Sequence, residues 1–230
     1  VFDSFTLVAA TADLADERAA RGVADLVEFR MDLATDPLGQ LAAYDGELPL
    51  LVTNRPEWEG GDADGGTVDA ETARLEALEA ALGNDAVAAV DLELAALRRD
   101  ERAVSVAEQA DSLGVEVVVS VHDFAGTPSE RAMASLLSAA ASAGDVGKLA
   151  VTAHDREDAL ALLSATHAAD AAGERVATMA MGEAGRHTRA VAPTYGSKIG
   201  YAPVHAEEAT APGQYDLETL ADLVAQLRSQ

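Results

Sequence analysis

The sequence predicts an α/β fold, a single TIM (β/α)8 barrel, on three observations. Eight short apolar runs alternate with longer Ala-, Leu- and Glu-rich segments, the rhythm of parallel strands joined by crossover helices. The unusual polar residues fall at the C-terminal ends of those runs, the face on which barrels assemble their sites. A length of 230 residues with 49% hydrophobic content suits one large core, and no linker divides the chain, so residues 1–230 are expected to form a single TIM-barrel domain.

The eight runs are Phe5–Ala10, Leu26–Met31, Pro49–Thr53, Ala86–Leu92, Val115–Val121, Val146–Val151, Val176–Met181 and Lys198–Tyr201. Helices are expected between them. Over Asp69–Leu82 the residues Leu75, Leu78 and Leu82 recur on one face, and over Pro128–Ala141 Met133, Leu136 and Leu137 do the same. Thr127-Pro128 and Asp155 read as helix starts, and a last helix runs from about Asp216 to Leu227. An open doubly wound sheet is the alternative, but no glycine-rich dinucleotide fingerprint follows the first run. The segment Gly60–Asp69 (GGDADGGTVD) is either a solvated loop or a mobile lid.

Charge narrows the function classes. Forty Asp plus Glu against 16 Lys plus Arg give a net charge of −24, which argues against nucleic acid or an anionic membrane as partner. A high-salt cytoplasm is the preferred explanation of such a composition, because screening weakens self-repulsion; an acidic, GC-rich mesophile with an arginine bias is the alternative. There is no cysteine, so disulfides and thiolate metal sites are excluded. The N-terminal stretch lacks a basic segment followed by a long apolar one, and nowhere do roughly 20 apolar residues run together. A cytoplasmic protein is expected.

Only two lysines remain, Lys148 and Lys198. Lys148, in DVGKLAVTA, sits inside an apolar strand. Burying an ammonium is costly unless it is paired or deprotonated, so the residue is either a structural lysine paired to a barrel carboxylate such as Glu93 or a nucleophilic amine set to form a Schiff base. The scarcity of lysine favours the second. His122, in VVVSVHDFAGTP, ends the preceding strand and is placed to exchange protons on the same substrate. His154, His167 and His205 read as surface residues, and His187 is ambiguous. Arg30, Arg55 and Arg189 at strand ends supply a local site for a carboxylate or phosphate, or neutralise Glu28, Asp91 and Glu93. Gln214 lies in a neighbouring loop. The interleaved cations argue against a metal site among those carboxylates, and no cofactor is expected.

In order along the chain, VEFRMD, LVTNRPEWEGG, VDLEL, VVVSVHDFAGTP, VGKLAV, MAMGEAGRHTRAVA, YGSKIGYA and TAPGQ closely resemble type I 3-dehydroquinate dehydratase over nearly the whole length. Each motif alone is weak, but the joint set is specific. The resemblance implies a TIM barrel, usually a homodimer, that dehydrates 3-dehydroquinate to 3-dehydroshikimate in the shikimate pathway of aromatic amino-acid biosynthesis, without metal or cofactor. It places the Schiff-base lysine on Lys148, the general acid/base histidine on His122 and the glutamate that orients it on Glu59. Glu28 and Arg30 match the family's hydroxyl- and substrate-binding pair, and Arg55, Arg189, Thr210 and Gln214 match further substrate contacts. Thr188 and Thr210 stand where the family often has serine, each keeping a hydroxyl. The serine that some members carry at the end of the first strand has no counterpart in LVAATAD.

The implied chemistry explains the set. An iminium between Lys148 and the C3 ketone acidifies the C2 proton, His122 removes it, and the enamine expels the C1 hydroxyl. A class I aldolase, with phosphate held at Gly182–Gly185, and a non-catalytic ligand-binding barrel are the alternatives.

Overall fold

The computed structural model describes residues 1–205, 207 and 213–228. Strands and helices alternate in the order β1 (Thr6–Thr11), α1 (Glu17–Ala20), β2 (Leu26–Arg30), α2 (Pro37–Ala43), β3 (Leu50–Thr53), α3 (Val68–Ala81), β4 (Val87–Glu93), α4 (Leu94–Arg99), α5 (Glu101–Leu113), β5 (Glu116–Asp123), α6 (Glu130–Ala141), β6 (Val146–Thr152), α7 (Arg156–Ala171), β7 (Val176–Met181), α8 (Thr188–Val191), β8 (Ile199–Pro203) and α9 (Leu217–Arg228).

Parallel pairing runs β7-β6-β5-β4-β3-β2-β1-β8. The two ends of that series meet without a ladder, through Lys198 N–H to Val176 O (2.7 Å) and Thr178 N–H to Ser197 Oγ (3.0 Å). The sheet is thus a nearly closed barrel, which removes the open doubly wound alternative.

Because successive side chains on a strand point to opposite faces, each strand feeds two cores. Val8, Leu26, Leu51, Ala89, Val118, Val146, Ala177 and Ile199 fill the barrel, with Phe2 among them. The residues of opposite parity, such as Val27, Phe29, Val52, Val90 and Leu92, pack outward against the helices. Gly147 shows how close that outer packing is. A Cβ there would lie 2.7 Å from the backbone nitrogen of Ala141 and 2.9 Å from Leu137 O, both on α6.

Every predicted run overlaps its strand, with ends that agree within two residues. Five strands continue past the apolar runs, to Thr11, Glu93, Asp123, Thr152 and Pro203; the polar side chains that end the first four keep ladder geometry at the barrel mouth while leaving the hydrophobic pattern. Lys198 lies just before β8 instead of starting it. One helix start is also corrected. Ser129, not Thr127-Pro128, caps α6, its Oγ accepting from Ala132 N–H (3.4 Å), while Thr127 Oγ1 donates to Thr152 O (2.9 Å) and ties the preceding loop to β6. Asp155 caps α7 as expected, accepting from the N–H groups of Glu157 and Asp158.

Candidate active site

The alternation that fills the barrel also builds its mouth. Two residues on from a core position, the same inward face carries Glu28 on β2, Thr53 on β3, Asp91 on β4, Ser120 on β5, Lys148 on β6 and Met179 on β7; two further on come Arg30, Arg55, Glu93, His122, Ala150 and Met181. In register, Ser120 stands beside Lys148 and His122 beside Ala150, so the imidazole sits one inward step nearer the mouth than the lysine on the adjacent strand. A cavity at this end is lined by Glu28, Arg30, Thr53, Arg55, Glu59, Gly60, His122, Phe124, Lys148, Ala150, Met179, Met181, Arg189, Tyr201 and Gln214.

Beneath the cavity lies a buried ionic floor. Lys148 Nζ donates to Asp91 Oδ2 (2.9 Å). The other Asp91 oxygen accepts from Arg55 Nη2 (2.7 Å) and from the Ser120 hydroxyl (2.6 Å). Arg55 Nη1 reaches Glu93 Oε1 (2.6 Å), and Glu93 Oε2 accepts from Arg74 Nη2 (2.9 Å), a residue of α3 whose Nη1 also donates to Asn54 O (2.6 Å). Lys148, Arg55, Arg74, Asp91 and Glu93 are all at most 5% exposed. Burial pushes the Asp91 carboxyl up, but Arg55 and Lys148 outweigh it and hold the group well below the usual carboxylate range. Burial raises Glu93, with Arg55 and Arg74 only partly offsetting it. Lys148 therefore has a carboxylate partner, and that partner is Asp91; Glu93 is committed to the two arginines. Arg55 lines the cavity with its guanidinium engaged by Asp91, Glu93 and Ser120.

His122 is held from the side. Glu59 Oε2 accepts from the backbone N–H of His122 (3.1 Å) and lies within hydrogen-bond distance of its ring Nδ1 (2.6 Å). Glu59 comes from a 3-10 turn, Glu57–Glu59, at the start of the β3–α3 loop. That turn is pinned by Glu57 N–H to Ala63 O, Gly61 N–H to Pro56 O and Ala63 N–H to Arg55 O, so the first part of the expected Gly60–Asp69 loop is tied to the end of β3. Gly60 has φ +78°, and a Cβ there would meet the Phe124 ring, which stacks on His122 with centroids 5.9 Å apart. Burial, then Arg55 and Lys148, lower the imidazole pKa well below 6.5. Burial raises Glu59 to about 7, against the pull of Arg55.

The opposite wall carries Arg189. The Thr188 hydroxyl accepts from Ala180 N–H (2.9 Å) and donates to Gly185 O (2.7 Å), fixing the short α8 against β7 and turning Arg189 inward. Arg189 is 4% exposed, and burial lowers its pKa to about 10 with no carboxylate to offset it. Its Nε is buried without a hydrogen-bond partner among the described residues. Gln214 enters the cavity beside Gly213, which has φ +80° and would carry a Cβ 2.7 Å from Gly182 O, so the close approach of these two loops requires glycine. Arg30 forks onto Asp32 (2.9 and 2.6 Å), and Glu28 accepts from Thr53 Oγ1 (2.9 Å).

Thr210 lies outside the described residues. On the first strand the position in register with Glu28 is Ala10, which offers only a methyl group. His154, His167 and His187 are exposed and His205 is half-buried beside Asp16; none lines the cavity. Lys198 pairs with Asp170 of α7 (3.0 Å) outside the barrel. Sequence reasoning passed over Ser120, Arg74, Tyr201, Met179 and Met181. Strand parity points to all but Arg74, since each stands two residues from another inward position.

Fold and site define a TIM barrel with a buried lysine and a carboxylate-held histidine in one cavity at its C-terminal face. A family model for type I 3-dehydroquinase matches residues 5–230, and the chain belongs to that family, whose members are hydro-lyases. It is 60% identical over 231 residues to the 3-dehydroquinate dehydratase of Haloarcula marismortui, covering 99% of this chain and 98% of the relative. To that of Halobacterium salinarum it is 55% identical over 230 residues, covering 99% of each. Both organisms are halophilic archaea, in keeping with the acidic composition. The crystal structure of 3-dehydroquinate dehydratase from Geobacillus kaustophilus, 29% identical, superposes with a TM-score of 0.84 over 99% of this chain and 93% of that one. The Clostridium difficile enzyme, with covalently modified comenic acid, is 24% identical with a TM-score of 0.81 over 97% of this chain and 92% of that one, which speaks for the fold. The family match displaces the aldolase reading.

Proposed function

We propose that the chain dehydrates 3-dehydroquinate to 3-dehydroshikimate through a Schiff base on Lys148. One observation carries the reading: a single cavity joins a buried lysine, a histidine held at Nδ1 by a carboxylate, and a buried arginine whose desolvation no carboxylate offsets.

Lys148 Nζ starts paired to Asp91. It hands one proton to a neighbouring base and attacks the substrate's C3 as the free amine; that proton and one more from the nitrogen then leave with the ketone oxygen as water. The iminium keeps one positive charge, so the charge facing Asp91 is the same before and after condensation. A carboxylate held ionised by Arg55 and Ser120 suits that task, and no charge has to be created in the buried floor.

With Glu59 holding a proton on Nδ1, His122 Nε2 is the free base. It takes the C2 proton, whose electron pair moves into the C2–C3 bond and onto nitrogen to give the enamine. The enamine returns that pair, the C1–C2 double bond forms, and the C1–O bond breaks as His122 gives its proton to the departing oxygen. Water then adds to the iminium carbon and releases the ketone, restoring the ammonium. The depressed imidazole pKa favours this use, since the protonated form gives its proton up readily. Arg189 pairs with the substrate carboxylate, Glu28, Arg30 and Gln214 take the remaining polar groups, and Thr210 belongs to the same set through the family motif. Arg55 acts from below, by fixing Asp91.

A homodimer and a cytoplasmic place of action belong to this proposal, supported by the family's usual assembly and by the acidic, cysteine-free composition. Turnover of 3-dehydroquinate, followed by the ultraviolet absorbance of the conjugated product, tests the reaction. No rise in absorbance at high enzyme concentration in molar salt would overturn it.

A further inference from the structure

Tyr201 stands inside the cavity with no part in the chemistry above. It is the inward residue of β8, 5% exposed, and its ring lies 4.4 Å from Lys148 Nζ, a cation–π distance. The ring alone would serve that contact. The hydroxyl is a separate matter, because its oxygen is buried with no hydrogen-bond partner among the described residues. Leaving a buried hydroxyl unpaired is costly, and phenylalanine would fill the same space without it.

The surroundings say what kind of group the hydroxyl serves. Burial, and after it the fields of Glu28 and Asp91, push the phenol well above its ordinary pKa of 10, so it is a donor and never a base at physiological pH. Asp91 has both oxygens engaged by Lys148, Arg55 and Ser120. Glu28 has one oxygen held by Thr53, and its side chain lines the cavity. A phenol that keeps its proton and a carboxyl oxygen lining the same cavity complement a group that both donates and accepts, and a hydroxyl is that group.

We propose that Tyr201 and Glu28 form a donor–acceptor clamp for one ring hydroxyl of the substrate, making Tyr201 a specificity-determining residue. Glu28 accepts a hydrogen bond from the hydroxyl, and Tyr201 donates one to the hydroxyl oxygen. A ketone at that position would face the carboxyl without a proton to give, and a methylene would leave the phenol unpaired and Glu28 with Thr53 alone, so the clamp selects the hydroxylated ring. The inference rests on the dehydratase reading, since it takes the polyhydroxylated substrate from there.

Tyr201→Phe separates the two claims when assayed beside the wild-type chain on 3-dehydroquinate and on its 4-deoxy and 5-deoxy analogues, with melting temperature measured in parallel. The expected result is a roughly three- to tenfold fall in kcat/KM on the full substrate, the size of one neutral hydrogen bond, with an unchanged or higher melting temperature. Against one of the two analogues the variant and the wild type should be equal, because the hydroxyl that the clamp holds is already gone. Equal kcat/KM for both proteins on the full substrate, or the same loss with every analogue, would overturn the clamp. A wild-type chain that turns nothing over would instead overturn the reading beneath it.

Discussion

A single oxygen of Glu59, Oε2, receives both the backbone N–H and the ring Nδ1 of His122, at 3.1 and 2.6 Å. The carboxylate therefore fixes where the imidazole lies and which nitrogen keeps its proton. Burial has raised Glu59 to about 7, so the arrangement holds only above that pH. Below it the carboxyl carries its own proton, donates to Nδ1, and shifts the imidazole proton to Nε2, where the base is needed. Turnover should fall along an acid limb centred near pH 7, and a pH–rate profile checks it. A rate that is flat from pH 5 to 8 would contradict this role for Glu59.

The same shift has a sign in stability. Glu59 binds its proton more tightly folded than unfolded, where the ordinary value is 4.5. Its contribution is thus most favourable below pH 4.5 and is lost as pH rises through 7, a cost of up to about 3 kcal/mol at alkaline pH. Glu59→Gln, which cannot ionise, should be inactive or nearly so and yet gain stability over the wild type at pH 8, with the gain vanishing near pH 4. Chemical denaturation at the two pH values measures both.

Asp91 behaves oppositely. Its carboxyl is held below the ordinary 3.8, so the stability it supplies is present above that pH and is lost only as pH falls through its lower folded value. Asp91→Asn leaves Lys148 and Arg55 buried with one negative charge too few, which should cost about 3–5 kcal/mol and slow imine formation. Urea unfolding at neutral pH is the check; a loss under about 1 kcal/mol, the range of a surface pair, would show that the floor is less dry than its burial implies.

His122→Ala should lose most of the turnover while retaining slow imine formation, because Lys148, Asp91 and Arg189 are untouched. Steady-state rates and mass spectrometry of the trapped imine separate the two. Near-native turnover would remove His122 from the mechanism.

Among the described residues five acidic side chains are buried, namely Glu17, Glu28, Glu59, Asp91 and Glu93, so most of the 40 acids are spread over the surface. Their mutual repulsion is screened by salt. The melting temperature should climb as potassium chloride is raised from low to molar concentration, and a flat or falling curve would contradict salt adaptation.

The barrel was legible because continuous short apolar runs and leucine-faced helices are local signals. Lys148 and His122 stood out because each polar residue interrupts or ends such a run. The pairing of Lys148 was harder to read. Asp91 and Glu93 share one inward face two residues apart, and strand register lines Lys148 up with Ser120 and Ser120 with Glu93, so the ladder alone does not single out Asp91. Arg74 left no local mark, since it sits beside Leu75 on a helix and its inward turn depends on how α3 lies over Asn54. The orientation of His122 by Glu59 depends on a loop folded through backbone hydrogen bonds between Arg55, Pro56 and Ala63, which no periodicity encodes; the family motif, not the residue pattern, pointed to it.

The account stands or falls on which lysine is the nucleophile, and the chain offers two. Lys198 Nζ is held by Asp170 of α7, outside the barrel, whereas Lys148 Nζ lies inside, between Asp91 and the Tyr201 ring. Borohydride added during turnover should reduce the imine and leave one ligand adduct per chain, which peptide mass spectrometry maps to Lys148. Lys198→Arg should be labelled as fully as the wild type, and Lys148→Ala not at all. An adduct on Lys198, or sustained turnover in borohydride with no adduct on either lysine, would contradict the Schiff base on Lys148.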